Sequence, residues 1–270
     1  GKGGTASDSC TVIVEAKFGS IDVKSSPPGA AIHLDGGDTE NITPYVITSI
    51  DPGSHTVKLV LSHYKYKEGT ITVNANETTY INWSLTYASD ETATIQPGAA
   101  AGKDTSVSKY YPDQNWANRD WITAGRGPAD TCTAYVEFHL SSVPEDAVVI
   151  SARVNLYYWG TDVPVAAPIG AYRVEETWSE SGVTWNNQPD SATTPEYTRT
   201  VPAAVTNSFL YWDISDLVEG WWDGSISNYG IVLMDTDEST AEAWKRFYSS
   251  DWGTASQRPQ LIVTYYDPSP

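Results

Sequence analysis

Eleven Trp and 17 Tyr stand against 4 Phe in this chain of 270 residues. Rings with a polar edge are favoured where one side packs and the other meets water or sugar. Trp221, Trp222, Trp244, Trp252 and the pair Tyr110-Tyr111 are therefore candidates for a platform that stacks on the C–H face of a pyranose. The core is the competing destination for any single one of them. Within the run Asp213–Gly224, one of Trp221 and Trp222 is expected inside and the other exposed.

Catalytic constellations find less support. Glu175, Glu176 and Glu180 flank Trp178, and paired carboxylates run glycoside hydrolysis. Such a pair needs one carboxyl in a pocket that raises its pKa; nothing in the pattern indicates one, and a solvated face is expected. His139 sits mid-strand opposite Phe138, and no Gly-x-Ser-x-Gly elbow occurs. His-Glu-x-x-His is absent, and two cysteines far apart in the chain make no zinc pattern. No catalytic residue is assigned, and no organic cofactor is implied. Asp235, Asp237 and Glu238 place oxygen ligands in one turn and make a candidate Ca²⁺ site, although no Asp-x-Asp-x-Asp-Gly loop accompanies them.

Three further features concern the outside of the cell. Asn41, Asn76 and Asn82 head Asn-x-Ser/Thr glycosylation sequons. Cys10 and Cys132 are expected to pair, as two cysteines in an extracellular chain usually do. Within one chain that disulfide closes a loop worth about 4–5 kcal/mol in the entropy model; between chains it locks subunits head to tail. Gly1 without a basic-then-apolar leader predicts a processed, secreted chain.

The formal net charge of −18 excludes a phosphate-backbone binder, so no nucleic-acid partner is expected. A 40% hydrophobic share is too high for a disordered acidic tail. No apolar run approaches the ~20 residues of a membrane span. The charge is uneven: 9 acids and 6 bases up to Ala88, then 25 acids and 10 bases.

Period-two alternation supplies the elements that must hold these residues. Val12, Val14, Ala16 and Phe18 share one face of a strand that follows a tip without apolar pattern. That strand either pairs within its own domain or adds to the sheet of a neighbouring copy, giving an open head-to-tail assembly. Residues 1–18 are thus an N-terminal arm, 19–88 a small β domain, 89–103 an Ala/Gly-rich linker and 104–270 a larger β domain. In the larger domain Ala134, Val136, Phe138 and Leu140 alternate with Tyr135, Glu137 and His139, a pattern expected of a sandwich sheet with one polar face. Only 213–224 reads as helix, with Ser215 as cap and Gly224 as stop.

The turns Pro28-Gly29-Ala30, Leu34-Asp35-Gly36, Thr43-Pro44 and Pro52-Gly53-Ser54-His55-Thr56-Val57 occur in the order and spacing of the PEGA domain. The small domain resembles that family, which implies a short β-sandwich of prokaryotic surface and secreted proteins. The segments KDTSVSKYYPDQNWANRDWITAGR, ETWSESGVTWNNQP and RPQLIVTY carry a resemblance to the DNRLRE domain, related to archaeal disaggregatase repeats and some carbohydrate-binding modules. It implies a jelly-roll-like sandwich. His139 stands where that family commonly has Asp, and Ala117 where Gly is usual.

The expected fold class is all-β, a small PEGA-like β-sandwich plus a larger jelly-roll-like one. The leading functional expectation is a non-catalytic extracellular structural subunit of a prokaryotic, foremost archaeal, surface filament, sheath or matrix, self-associating head to tail through Val12, Val14, Ala16 and Phe18. The alternative is a carbohydrate-binding or adhesion module for a surface glycan. A disaggregatase-like hydrolase follows from the family resemblance alone.

Overall fold

A computed structural model describes residues 17–127, 129–237 and 243–270. Cys10, Val12, Val14, Ala16 and Glu238 lie outside the described residues. Two compact units emerge, divided between Ala88 and Ser89, with Pro268–Pro270 belonging to the first.

The first unit comprises β1 (Gly19–Ser26), β2 (Ala31–Leu34), β3 (Gly37–Ile42), β4 (Tyr45–Ile50), β5 (Gly53–Val60), β6 (Tyr64–Lys65), β7 (Lys67–Val73), β8 (Thr78–Ser84) and β9 (Thr86–Tyr87). The strands form two sheets, ordered β4-β1-β8 and β3-β2-β5-β7, and a separate small ribbon β6-β9. Ile21 and Val23 of β1 point into a core with Ile32, Val57, Leu59, Val73 and Ile81. Asp22 and Lys24, one step out of phase, form an ion pair of 2.9 Å on the other face. The C-terminal residues return to this unit: Tyr66 N–H donates to the Pro268 carbonyl at 2.8 Å. Phe18, the last residue expected in the arm, is exposed, and its carbonyl accepts from Asn76 N–H at 2.9 Å.

The second unit contains β10 (Glu91–Ile95), β11 (Lys103–Ser108), β12 (Trp121–Arg126), β13 (Thr131–Glu137), β14 (Val148–Thr161), β15 (Ala167–Arg173), β16 (Tyr197–Val201) and β17 (Ser208–Asp213). Helix α1 (Ser215–Asp223), β18 (Ile231–Asp235), β19 (Ala243–Tyr248) and β20 (Gln260–Tyr266) complete it. Their path is β10-β20-β14-β19-β12-β13-β18-β15-β16, with β11 on β13 and β17 on β14. The expected linker 89–103 therefore carries a strand: Ala93 of β10 pairs with Val263 of β20 and packs on the core.

The long strand β14 curls the sheet. Along one edge it pairs β20 up to Asn155 and then β19 from Tyr158, with register shifts in both ladders, while Arg153–Tyr158 pair β17 on the other edge. Such irregularities bend a strand and let it serve two layers. Val154, Leu156, Tyr158, Trp212 and Phe247 thereby meet in one core.

The face of β13 opposite Ala134 and Val136, expected to be the open polar one, is covered: Thr133 and Tyr135 are buried. Tyr135 joins Tyr172, Val232 and Trp178 in a second apolar cluster, with Tyr135 and Trp178 rings 5.4 Å apart. Alternation separates two faces of a strand but does not say that a loop will return to cover the second one.

The helix forms where expected, but Ile214 is its N-cap and Ser215 its first residue. Asp213 Oδ1 accepts from Ser215 N–H at 3.0 Å and from its hydroxyl at 2.7 Å, so Asp213 supplies the acceptor that the helix start requires. Gly224 ends the helix in the left-handed region, φ 78°, which glycine adopts without a Cβ penalty.

Asp104, buried beside Ser250, gives a pH-dependent feature. Burial pushes its carboxyl up to about 7; the Glu180 and Asp251 charges add to this, while Ser250 N–H, 2.8 Å from Oδ2, opposes it. The folded value lies above the unfolded 3.8, so folding favours the protonated form. This group's contribution to stability is present below the unfolded value and is lost as pH rises toward the folded one. Asp104→Asn is expected to flatten the dependence of Tm on pH between about 4 and 7 and to raise Tm at pH ~8. Superimposable wild-type and variant melting curves across that range would contradict the assignment.

Candidate functional site

Alternation along β19 sends Ala243, Lys245 and Phe247 inward and Trp244, Arg246 and Tyr248 outward. Lys245, fully buried, places its ammonium on the carbonyls of Val165 at 2.6 Å and Pro202 at 3.0 Å, and burial pushes its pKa down to about 8. Trp244 pairs with Gly125 near the end of β12, while Tyr248 pairs with Trp121 at its start, so Trp244 lies where β12 finishes and β13 begins.

A groove of about 600 Å³ opens there, lined by Tyr110, Tyr111, Asp130, Asp162, Val163 and Trp244. Tyr110 is 60% exposed and Tyr111 51%, with ring centroids 4.8 Å apart at 80°. Their position is fixed through the backbone. Asp130 Oδ1 accepts from Tyr110 N–H at 2.8 Å, and its Oδ2 accepts from the Ser108 hydroxyl at 2.6 Å. Ser108 Oγ in turn accepts from Tyr111 N–H at 3.2 Å. Across the groove Asp162 takes a two-pronged bond from the Arg246 guanidinium, 2.7 Å on each arm. Trp244 packs against Gly127, where a Cβ would collide with the indole. The arrangement presents rings for an apolar ligand face and carboxylate oxygens for hydroxyl donors.

The sequence-derived platform is thus divided by the fold. Trp244 reaches the groove with Tyr110 and Tyr111. Trp221 does not: α1 turns it inward, leaving it 8% exposed against the core, so that of the Trp221-Trp222 pair it is the inner ring. Trp222, half-buried, donates its indole N–H to the Ala147 carbonyl at 2.8 Å. Trp252 stacks on Tyr248 at 4.0 Å and 6°, and Tyr248 stacks on Trp159 at 5.3 Å and 8°. Tyr248 and one face of Trp252 are consequently taken up by ring contacts within the protein. Trp159 and Tyr248 were legible as outward positions from alternation in β14 and β19, whereas Asp130 and Asp162 carried no such signal.

The remaining expectations fall elsewhere. Cys132 carries a free, buried thiol 3.5 Å from Asp130 Oδ2, and burial pushes its pKa up to about 12. Its expected partner Cys10 is outside the described residues. A thiol so protonated is a poor nucleophile, so labelling of Cys132 by an aromatic disulfide reagent should be slow in the native protein and fast in denaturant. Rapid native labelling at Cys132, located by peptide mass, would contradict this burial. Asp235 Oδ1 accepts from Asp237 N–H at 3.0 Å, and the described residues hold no group of three His, Cys, Asp or Glu suited to a metal ion. Asn76 and Asn82 are exposed, while Asn41 is half-buried with its amide on the Thr39 carbonyl at 2.7 Å.

Comparison with known proteins follows this division. Residues 18–89 match the PEGA domain. No curated protein matches the chain. Among solved structures, the full-length major pilin SpaD from Corynebacterium diphtheriae is 10% identical at a TM-score of 0.18, covering 94% of this chain, which spans 57% of the pilin. A structure described as showing the promiscuous specificity of carbohydrate-binding modules from the β-sandwich superfamily is 14% identical at 0.15, with 89% and 84% covered. Scores this low bear on neither fold nor function. The sequence match over residues 93–265 is of another kind, spanning more than half of the chain and the whole groove, and by it the chain belongs to carbohydrate-binding module family 96.

Proposed function

We propose that this protein is a non-catalytic, extracellular glycan-binding protein whose second unit holds sugar in the Tyr110–Tyr111–Trp244 groove. The observation that carries the reading is the convergence of three aromatic side chains and two anchored carboxylates on one cavity. Sugar rings pair an apolar C–H face with hydroxyls at the rim, and this groove offers a partner for each. Family membership supports the same reading, which was the alternative from sequence, over the filament subunit that led there. PEGA and carbohydrate-binding domains are typical of extracellular proteins, and no helix among the described residues is long and apolar enough to cross a membrane.

Charge refines the ligand class. The net charge of −18 repels polyanions, and Arg246, the cation at the groove, is already matched by Asp162. A neutral glycan fits best. Affinity electrophoresis against hydroxyethylcellulose, xylan, galactomannan and alginate tests this, with tryptophan fluorescence as a second readout. Retention by a neutral polymer, weaker with alginate, is expected. If no polymer of the panel retards the protein or changes its fluorescence, the reading fails.

A further inference from the structure

A second cavity of comparable volume opens among the described residues of the second unit. This one, about 610 Å³, is lined by His139, Pro144, Glu145, Trp222 and Asn228 among others, with the inner ring Trp221 at its floor. Strand direction places it at the far end. Asp130 of the groove precedes β13 and His139 follows it, so the strand carries the chain from one cavity to the other. Nine steps at about 3.3 Å each separate them by about 30 Å. β14 makes the return journey, starting after Glu145 and ending before Asp162.

Resting on the glycan-binding reading above, we propose that this far cavity is a second sugar site, so that one chain holds two neutral glycan segments at once. Its walls are preformed. Trp222 is pinned through its indole N–H to the Ala147 carbonyl at 2.8 Å. Asn228 is held at both ends of its amide, Nδ2 donating to the Phe138 carbonyl at 2.8 Å and Oδ1 accepting from Gly230 N–H at 3.1 Å. Held side chains lose little freedom on binding. His139 and Glu145 are exposed at the rim and supply hydroxyl partners, while the Trp222 ring and Pro144 supply apolar surface. Neither Lys nor Arg is among its described lining residues, which matches an uncharged ligand.

Two sites facing opposite ways convert a weak binder into a cross-linker of glycan chains. Linked binding events raise overall avidity by about 10²–10⁴-fold where one polymer or surface engages both.

Titration calorimetry of the full chain with cellopentaose, xylopentaose and mannopentaose reads the number of sites directly. Two oligosaccharides per chain are expected. Tyr111→Ala should remove one site, and Trp222→Ala or the rim variant Glu145→Gln should weaken the other by about 10-fold. Glu145→Gln alters an exposed side chain, so its effect does not depend on whether Trp222→Ala folds. One oligosaccharide per chain, lost in Tyr111→Ala and untouched in Glu145→Gln and Trp222→Ala, overturns the second site and leaves the groove standing. Absence of wild-type binding to all three overturns both.

Discussion

Tyr111→Ala is expected to weaken glycan binding by about 10- to 100-fold, on the order of 1.4–2.8 kcal/mol, with Tm unchanged. The two halves of that expectation have separate causes. The ring is half out of the protein and touches Tyr110 and Trp116 only through edge-on contacts of 4.8 and 6.0 Å, so its removal leaves no buried cavity. Its backbone N–H, held by Ser108 Oγ, survives the substitution. What disappears is the surface against which a sugar would lie. Tyr111→Phe retains that surface and should keep most of the affinity. Asp130→Ala behaves differently, because it releases both Tyr110 N–H and the Ser108 hydroxyl and disturbs both tyrosines together. Equilibrium titration with a retained polymer decides the matter: Tyr111→Ala binding like wild type would remove the groove from consideration.

Trp212→Ala should be the most damaging core substitution. Trp212 is completely buried, meets the Phe247 ring edge-on at 5.6 Å and donates its indole N–H to the Ile169 carbonyl at 2.9 Å. Truncation removes a large apolar side chain, opens a cavity between β17 and β19 and strips a buried carbonyl of its donor. The expected cost is about 3–5 kcal/mol, which lowers Tm by roughly 6–20 °C for a unit of this size. Trp212→Phe keeps much of the volume but not the N–H, and should fall between. Calorimetric melting of the three proteins tests the order. A Trp212→Ala protein melting at the wild-type temperature would mean that the core does not depend on this ring.

The strands of the first unit were legible because its turns are written in local chemistry. Pro28-Gly29, Asp35-Gly36 and Pro52-Gly53 each fix a reversal within a few residues, and Ile21 and Val23 announce a buried face by spacing alone. The same local logic found α1 and its glycine stop. It failed at 89–103, where Ala, Gly and Pro suggested a connector, because Glu91–Ile95 become a strand only through β20, whose residues lie at the opposite end of the chain.

The aromatic residues show the limit most clearly. Sequence established that the protein is all-β, that it divides into two modules, and that Trp and Tyr form its chemical stock. It also set which residues along each strand share a face, since that is a property of the backbone repeat. Which faces are covered depends on pairings between distant segments, such as Trp121 with Tyr248, and only the tertiary structure decides those. Trp221 went to the core, Trp252 onto Tyr248, and Trp244 to a groove with Tyr110 and Tyr111. A ring's type is identical in all three places. Its function follows from whether another part of the protein already occupies its surface.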